Sequence, residues 1–140
     1  KGIRIRHLGK LDGLPSGLRR GVGQAVDLTR NGEAMVFGLA LNYGARGEMV
    51  EAVRRLLRDG IKASDADEAL FSQYLYTGEM PDLDLIVRTG GEMRLSNFLL
   101  WQAAYAELYF TPVQWPDFGA GDLDTALAWY YRSQRRFGMI

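Results

Sequence analysis

Residues 84–97 read D-L-I-V-R-T-G-G-E-M-R-L-S-N, and their reading decides the fold. The run Leu85-Ile86-Val87 leads directly into Arg88, two glycines, a second arginine and a serine. Branched and large apolar side chains suit a pleated, half-buried surface, and Gly90-Gly91 mark a turn. From Asn97 to Ala106 the chain is apolar nearly all round, which predicts a helix that is buried or packed against a partner. Strand, glycine turn and helix in that order form the repeating unit of a parallel sheet.

The same alternation extends outward in both directions. Residues 3–8, I-R-I-R-H-L, alternate as a strand does. Pro15-Ser16 opens a helix with Leu18, Val22, Ala25 and Val26 on one face, and Asn31-Gly32 ends it. The run 34–41, A-M-V-F-G-L-A-L, predicts a strand buried on both faces. A helix follows Gly44 and runs to about Asp59, with Met49, Val50, Val53, Leu56 and Leu57 inward. Ser64 and Asp67 resemble a capping box for a helix carrying Leu70, Phe71, Tyr74 and Leu75. Leu108-Tyr109-Phe110 is a short strand, and Asp122 caps a last helix reaching Arg136. The expectation is an α/β fold, a parallel β-sheet flanked by helices, in one domain over residues 1–140.

Composition narrows the chemistry. Lys and Arg number 17 and Asp and Glu number 17, a balance that argues against non-specific nucleic-acid binding, which depends on neutralising phosphates. The absence of cysteine excludes disulfides and thiolate chemistry. His7 is the one histidine and reads as structural. No apolar run reaches membrane-spanning length, so a cytoplasmic protein is the default. The chain opens at Lys1-Gly2-Ile3, inside a strand-like run and without methionine, as a fragment would.

Ligands of open α/β sheets sit beyond the carboxyl ends of the strands, where Arg88 falls. Gly90 and Gly91 let backbone N–H groups come close to a ligand. Arg94 and Ser96 precede the expected helix, whose N-terminus favours anions. Together these groups suit phosphate or diphosphate. The alternative stays open that Arg88 pairs with Asp84 or Glu92 and the glycines only make a turn. Asn42-Tyr43-Gly44 likewise reads either as site lining or as a strand-to-helix turn. Trp101, Tyr105, Tyr109 and Trp115 read as core or interface.

The block R-T-G-G-E-M-R-L-S-N-F-L-L-W-Q-A-A-Y-A-E-L-Y-F-T-P-V-Q-W-P-D-F, residues 88–118, resembles the signature of the cis-prenyltransferases, the undecaprenyl diphosphate synthase family. L-N-Y-G-A-R at 41–46 resembles an internal motif of that family, with Ala45 in place of a glycine. R-R-F-G at 135–138 resembles its Arg-x-Gly ending. The resemblance implies transfer of an allylic diphosphate onto isopentenyl diphosphate with formation of a cis double bond. It implies that Arg88, Arg94 and Ser96 hold the isopentenyl diphosphate head, where the Gly90-Gly91 turn is also counted as substrate-binding, that Glu107 lies near Mg²⁺, and that Arg136 and Gly138 reach the partner's site in a homodimer. A lipid-like product is compatible with loose peripheral membrane association, although no amphipathic anchor stands out.

The departures from that pattern are as informative. The family's D-G-N-G-R-W and S-x-E-N-W motifs are absent, and Asp12-Gly13 lies in a turn before Leu14-Pro15. Met93 occupies a position often held by His or Gln. The chain thus resembles the C-terminal portion of such an enzyme, without the catalytic aspartate and much of the allylic site. The expectation is a half-site for isopentenyl diphosphate that is inactive alone. The rival readings are a non-catalytic dimerisation subunit of such a synthase and a generic phosphate-binding α/β module.

Overall fold

A computed structural model of the 140-residue chain describes residues 2–133. The chain divides into two compact units, Lys1–Met80 and Pro81–Ile140.

In the first unit β1 (Ile3–Leu8) pairs in parallel with β2 (Met35–Ala40), in register from Ile3 opposite Met35 to Leu8 opposite Ala40. The connection is α1 (Ser16–Thr29), which starts after Pro15, a residue whose fixed φ suits the approach to a helix. Its last turn also completes the edge of β1. The Ile5 N–H donates to Thr29 Oγ1 at 2.9 Å, and that hydroxyl donates to Ala25 O at 2.7 Å. The turn after α1 passes so close to β1 that a Cβ on Gly32 would lie 2.5 Å from the Ile3 carbonyl.

The burial expected of residues 34–41 is not found. Met35, Val36 and Phe37 are 50, 41 and 49% exposed. Among the described residues β2 has one neighbouring strand, and the helices pack elsewhere, α1 on β1 and the following helix on the next.

That following helix, α2 (Ala45–Arg58), is rotated from the expected orientation. Its buried side chains are Ala45, Glu48, Ala52 and Leu56, while Val50, Val53 and Leu57 face outward. A short 3₁₀ turn, Ala63–Asp65, precedes α3 (Glu68–Tyr74). Asp67, not Ser64, caps α3, its carboxylate accepting from Leu70 N at 2.8 Å. Ser64 Oγ instead donates to Asp65.

In the second unit β3 (Leu85–Arg88) pairs in parallel with β4 (Glu107–Phe110), Leu85 opposite Glu107 and Arg88 opposite Phe110. After the 3₁₀ turn Trp115–Asp117, α4 (Ala120–Arg132) packs on β4, with the Tyr109 and Trp129 rings 5.4 Å apart. Gly119 is the N-cap residue of α4. Asp122 lies three positions on, and its carboxylate accepts from Gly119 N at 2.9 Å. The expected cap is therefore its reciprocal half.

The helix expected over 97–106 does not form. Ser96, Asn97 and Leu99 adopt left-handed φ values of 50, 62 and 46°, which a right-handed helix cannot contain. The segment is a succession of turns, among them Phe98 N to Leu95 O and Ala103 N to Leu99 O. It buries Leu99 but leaves Tyr105 exposed. The helix-based arguments for a dipole at the site and for a dimer face fall with it. The parallel strands and flanking helices stand as expected.

Candidate anion-binding site

Arg88 is the last residue of β3, and the chain beyond it is fastened to the extension of β4. Thr111 N donates to Arg88 O at 2.9 Å, Gly91 N to Thr111 O at 2.9 Å and Gly90 N to Val113 O at 2.8 Å. Gly90 and Gly91 have φ of +88 and +78°, a region open to glycine at no steric cost. Their N–H groups are thus spent on the backbone and are not presented to a ligand, which corrects the expectation for them. The glycines work by turning the chain so that residues 92–96 return over the end of β3.

That return brings three of the expected residues together. Arg88 Nη1 donates to Ser96 Oγ at 3.0 Å and also to the carbonyl of Arg94. Arg94 Nε donates to the same Ser96 Oγ at 3.2 Å. Two guanidinium groups thus converge on one hydroxyl, which fills its two acceptor sites and keeps its own O–H as a donor. Glu92, not Asp84, supplies the local carboxylate, and it pairs with Arg94 rather than Arg88. Two cations face one carboxylate, so the cluster keeps a positive excess. Exposed ion pairs contribute about 0–1 kcal/mol, and Arg94 and Glu92 are both exposed. A multiply charged anion can therefore displace Glu92 at small cost.

Glu107 is not part of this group. It opens β4 opposite Leu85, three register positions before the pairing with Arg88, roughly 10 Å along a strand. Strand alternation places it on the Tyr109 face, which packs toward Trp129, whereas Arg88 shares the other face with Ile86. Among the described residues no three His, Cys, Asp or Glu side chains converge as a metal site. The residues around Arg88 do not fit a protein-held ion. Arg136 and Gly138 lie outside the described residues.

The first unit resolves the other open readings. His7 Nε2 donates to Leu41 O at 3.1 Å, a structural role. Asn42 has φ 49°, and its side-chain amide donates to Asp12 O at 2.8 Å, as turn chemistry requires. Sequence reasoning missed Glu48. Only 2% exposed, it accepts from Tyr76 N at 2.7 Å and from the Tyr43 hydroxyl. Its spacing with Ala45, Ala52 and Leu56 is the signal that places it inward. Burial raises the Tyr76 pKa, and the Arg55 guanidinium, 5.2 Å from that ring, opposes the rise.

Comparison with known proteins agrees along the whole chain. The prenyltransferase family model described as undecaprenyl diphosphate synthase matches residues 1–138. An isoprenyl transferase of Heliobacterium mobile is 49% identical over 100% of this chain and 55% of its own length. One from Rickettsia sibirica is 45% identical over 98% of this chain and 60% of its own. Lavandulyl diphosphate synthase from Lavandula x intermedia, solved in complex with dimethylallyl diphosphate, superposes with a TM-score of 0.92 at 42% identity. That likeness covers 98% of this chain and 61% of the synthase. A probable undecaprenyl diphosphate synthase from Campylobacter jejuni gives 0.88 at 31% identity, over 99% of this chain and 64% of its own. The chain spans a little over half the length of the curated relatives it matches. A prenyltransferase family model that matches nearly every residue, on a fold shared with two solved synthases, leaves one conclusion: this chain belongs to the undecaprenyl diphosphate synthase family.

Proposed function

We propose that this chain carries the isopentenyl diphosphate half-site of a cis-prenyltransferase, the C-terminal part of one such domain. The observation that supports the reading is the convergence of Arg88 and Arg94 on Ser96 Oγ at the carboxyl end of β3. In the reaction proposed, the C–O bond of an allylic diphosphate breaks, the alkene of isopentenyl diphosphate bonds to the allylic carbon, and a proton leaves. The residues here do one part of that work. Arg88 and Arg94 offer planar donor forks to phosphate oxygens, Ser96 offers its hydroxyl, and the Gly90-Gly91 turn fixes where they point. Holding the acceptor by its charged end positions the alkene for attack, and positioning is a large share of such a rate enhancement.

The resemblance proposes Mg²⁺, which when bound would neutralise the charge of the diphosphate groups. The resemblance alone proposes Glu107 for it; Glu107 stands on the strand face opposite Arg88, so no contact with an ion at the Arg88 cluster is derived for it. The same resemblance proposes a homodimer in which Arg136 and Gly138 serve the partner's site. Without the family's aspartate motif the 140-residue chain is expected to bind but not to turn over. Among the described residues no helix is long and apolar enough to cross a membrane.

Titration calorimetry tests the reading. Isopentenyl diphosphate should bind with a measurable heat, more tightly than its monophosphate, and radiolabelled prenyl transfer should be absent. Equal affinity for inorganic and isopentenyl diphosphate would favour a generic phosphate module instead. Prenyl transfer by the chain alone would overturn the half-site reading.

A further inference from the structure

The loop after β4 lies against the Gly90-Gly91 turn. A Cβ on Gly91 would stand 3.8 Å from Pro112 Cα, and one on Gly90 3.7 Å from Gln114 Oε1. Thr111 joins the two segments. It is the first residue after β4 and is 7% exposed, a burial unusual for threonine. Pro112 follows, so Thr111 is biased to extended backbone and position 112 has no N–H to give. The next N–H, that of Val113, donates to Thr111 Oγ1 at 3.3 Å, as turn hydroxyls do with the backbone two residues on. Val113 thus has its N–H held by a side chain, while its carbonyl accepts from Gly90 N at 2.8 Å. The Thr111 backbone makes two further ties, from its N–H to Arg88 O and from Gly91 N to its carbonyl. Those two would survive any side chain at 111. The tie to Gly90 is the one that runs through the hydroxyl.

We infer that Thr111 is a positioning residue of the anion site: its hydroxyl sets Val113, Val113 sets the Gly90 peptide, and that peptide sets where Arg88, Arg94 and Ser96 meet. Glycine has backbone freedom on both sides of φ, so Gly90 cannot hold its own φ of +88° and depends on the Val113 carbonyl to do so. Residues 92–96 follow directly from the turn, and a drift at Gly90 is carried into the Arg94 and Ser96 end of the cluster, which Arg88 Nη1 reaches by a 3.0 Å bond to Ser96 Oγ. The inference rests on the half-site reading and adds to it a residue that touches no ligand.

Amide hydrogen exchange and calorimetric titration of the 140-residue chain test it. Thr111→Val keeps the side-chain shape and removes the acceptor. The Gly90 N–H should then exchange about fivefold faster, the effect of one hydrogen bond, with the β3 amides unchanged. Affinity for isopentenyl diphosphate should fall about threefold to fivefold. Thr111→Ala, which removes the hydroxyl without adding a methyl, should shift both readings in the same direction. Thr111→Ser restores the acceptor and should return both to within about twofold of wild type. Equal Gly90 exchange in wild type and Thr111→Val, or faster exchange with unchanged affinity, would overturn the inference. So would exchange that rises equally at Gly90 and along β3, since that is the mark of a purely structural loss. Wild type that binds no isopentenyl diphosphate would overturn the half-site reading instead, and the exchange comparison would then decide by itself whether Thr111 sets the turn.

Discussion

Removing the Arg88 side chain is the most informative single perturbation. Arg88→Ala deletes one of the two guanidinium groups at Ser96 Oγ, together with the bond to the Arg94 carbonyl. Each charge-assisted hydrogen bond lost to a diphosphate oxygen is worth about 1.5–3 kcal/mol, so affinity for isopentenyl diphosphate should fall about tenfold to a hundredfold. A second effect adds to the first. The segment 92–96 loses its tie to the strand end, and Ser96, held at a left-handed φ of 50°, can relax out of position. Arg88→Lys separates the two contributions. The ammonium keeps the charge but cannot fork between Ser96 and the carbonyl, so lysine should recover only part of the loss. Calorimetric titration of wild type, Arg88→Lys and Arg88→Ala should give affinities in that descending order, with only a small change in thermal unfolding, because Arg88 is half-buried and the bonds it loses are solvent-exposed. Alanine affinity within twofold of wild type, on a folded protein, would refute the reasoning.

Further predictions concern stability and titration. Glu48→Ala should destabilise the chain by about 2–4 kcal/mol in urea denaturation, since it removes the buried acceptor of the Tyr43 hydroxyl and the Tyr76 N–H, while Glu48→Gln should cost less. Gly9→Ala should cost roughly 2 kcal/mol or more, because φ is +118° and the added Cβ would lie 2.4 Å from the Leu41 carbonyl oxygen. Asp67→Ala should remove about 1 kcal/mol by loss of the α3 cap. The Tyr74 pKa is raised, first by its hydrogen bond to Asp59 at 2.8 Å and then by slight desolvation and the charge of Asp59. A raised folded pKa means that the stabilisation is complete below the ordinary tyrosine range and is lost as pH rises through the folded value. Ultraviolet titration should therefore show Tyr74 ionising late, and Asp59→Ala should bring it earlier.

Much of this architecture is legible in residue order. Leu85 to Arg88 reads as a strand because apolar β-formers stop at a charge and two glycines, and it forms there. Helix starts after Pro15 and Gly44 are legible for the same local reason. The run 97–106 misleads because all-round apolarity describes any buried segment, helical or not. Of its two residues in left-handed conformation Asn97 is a type that favours it, and Leu99, like Ser96 just before the run, gives no warning. The site is legible in part. That Arg88, Arg94 and Ser96 meet follows from a tight glycine turn, but that the Gly90 and Gly91 N–H groups bond to Val113 and Thr111 depends on a strand some twenty residues later. Glu48 is hidden because a carboxylate on a helix is ordinarily read as its wet side.

The most direct measurement is a crystal structure of the chain soaked with isopentenyl diphosphate. The account predicts density for the diphosphate against the Arg88 and Arg94 guanidinium groups and the Ser96 hydroxyl, with Glu92 swung away from Arg94. A fully occupied ligand elsewhere, with the Arg94–Glu92 pair intact, would contradict it.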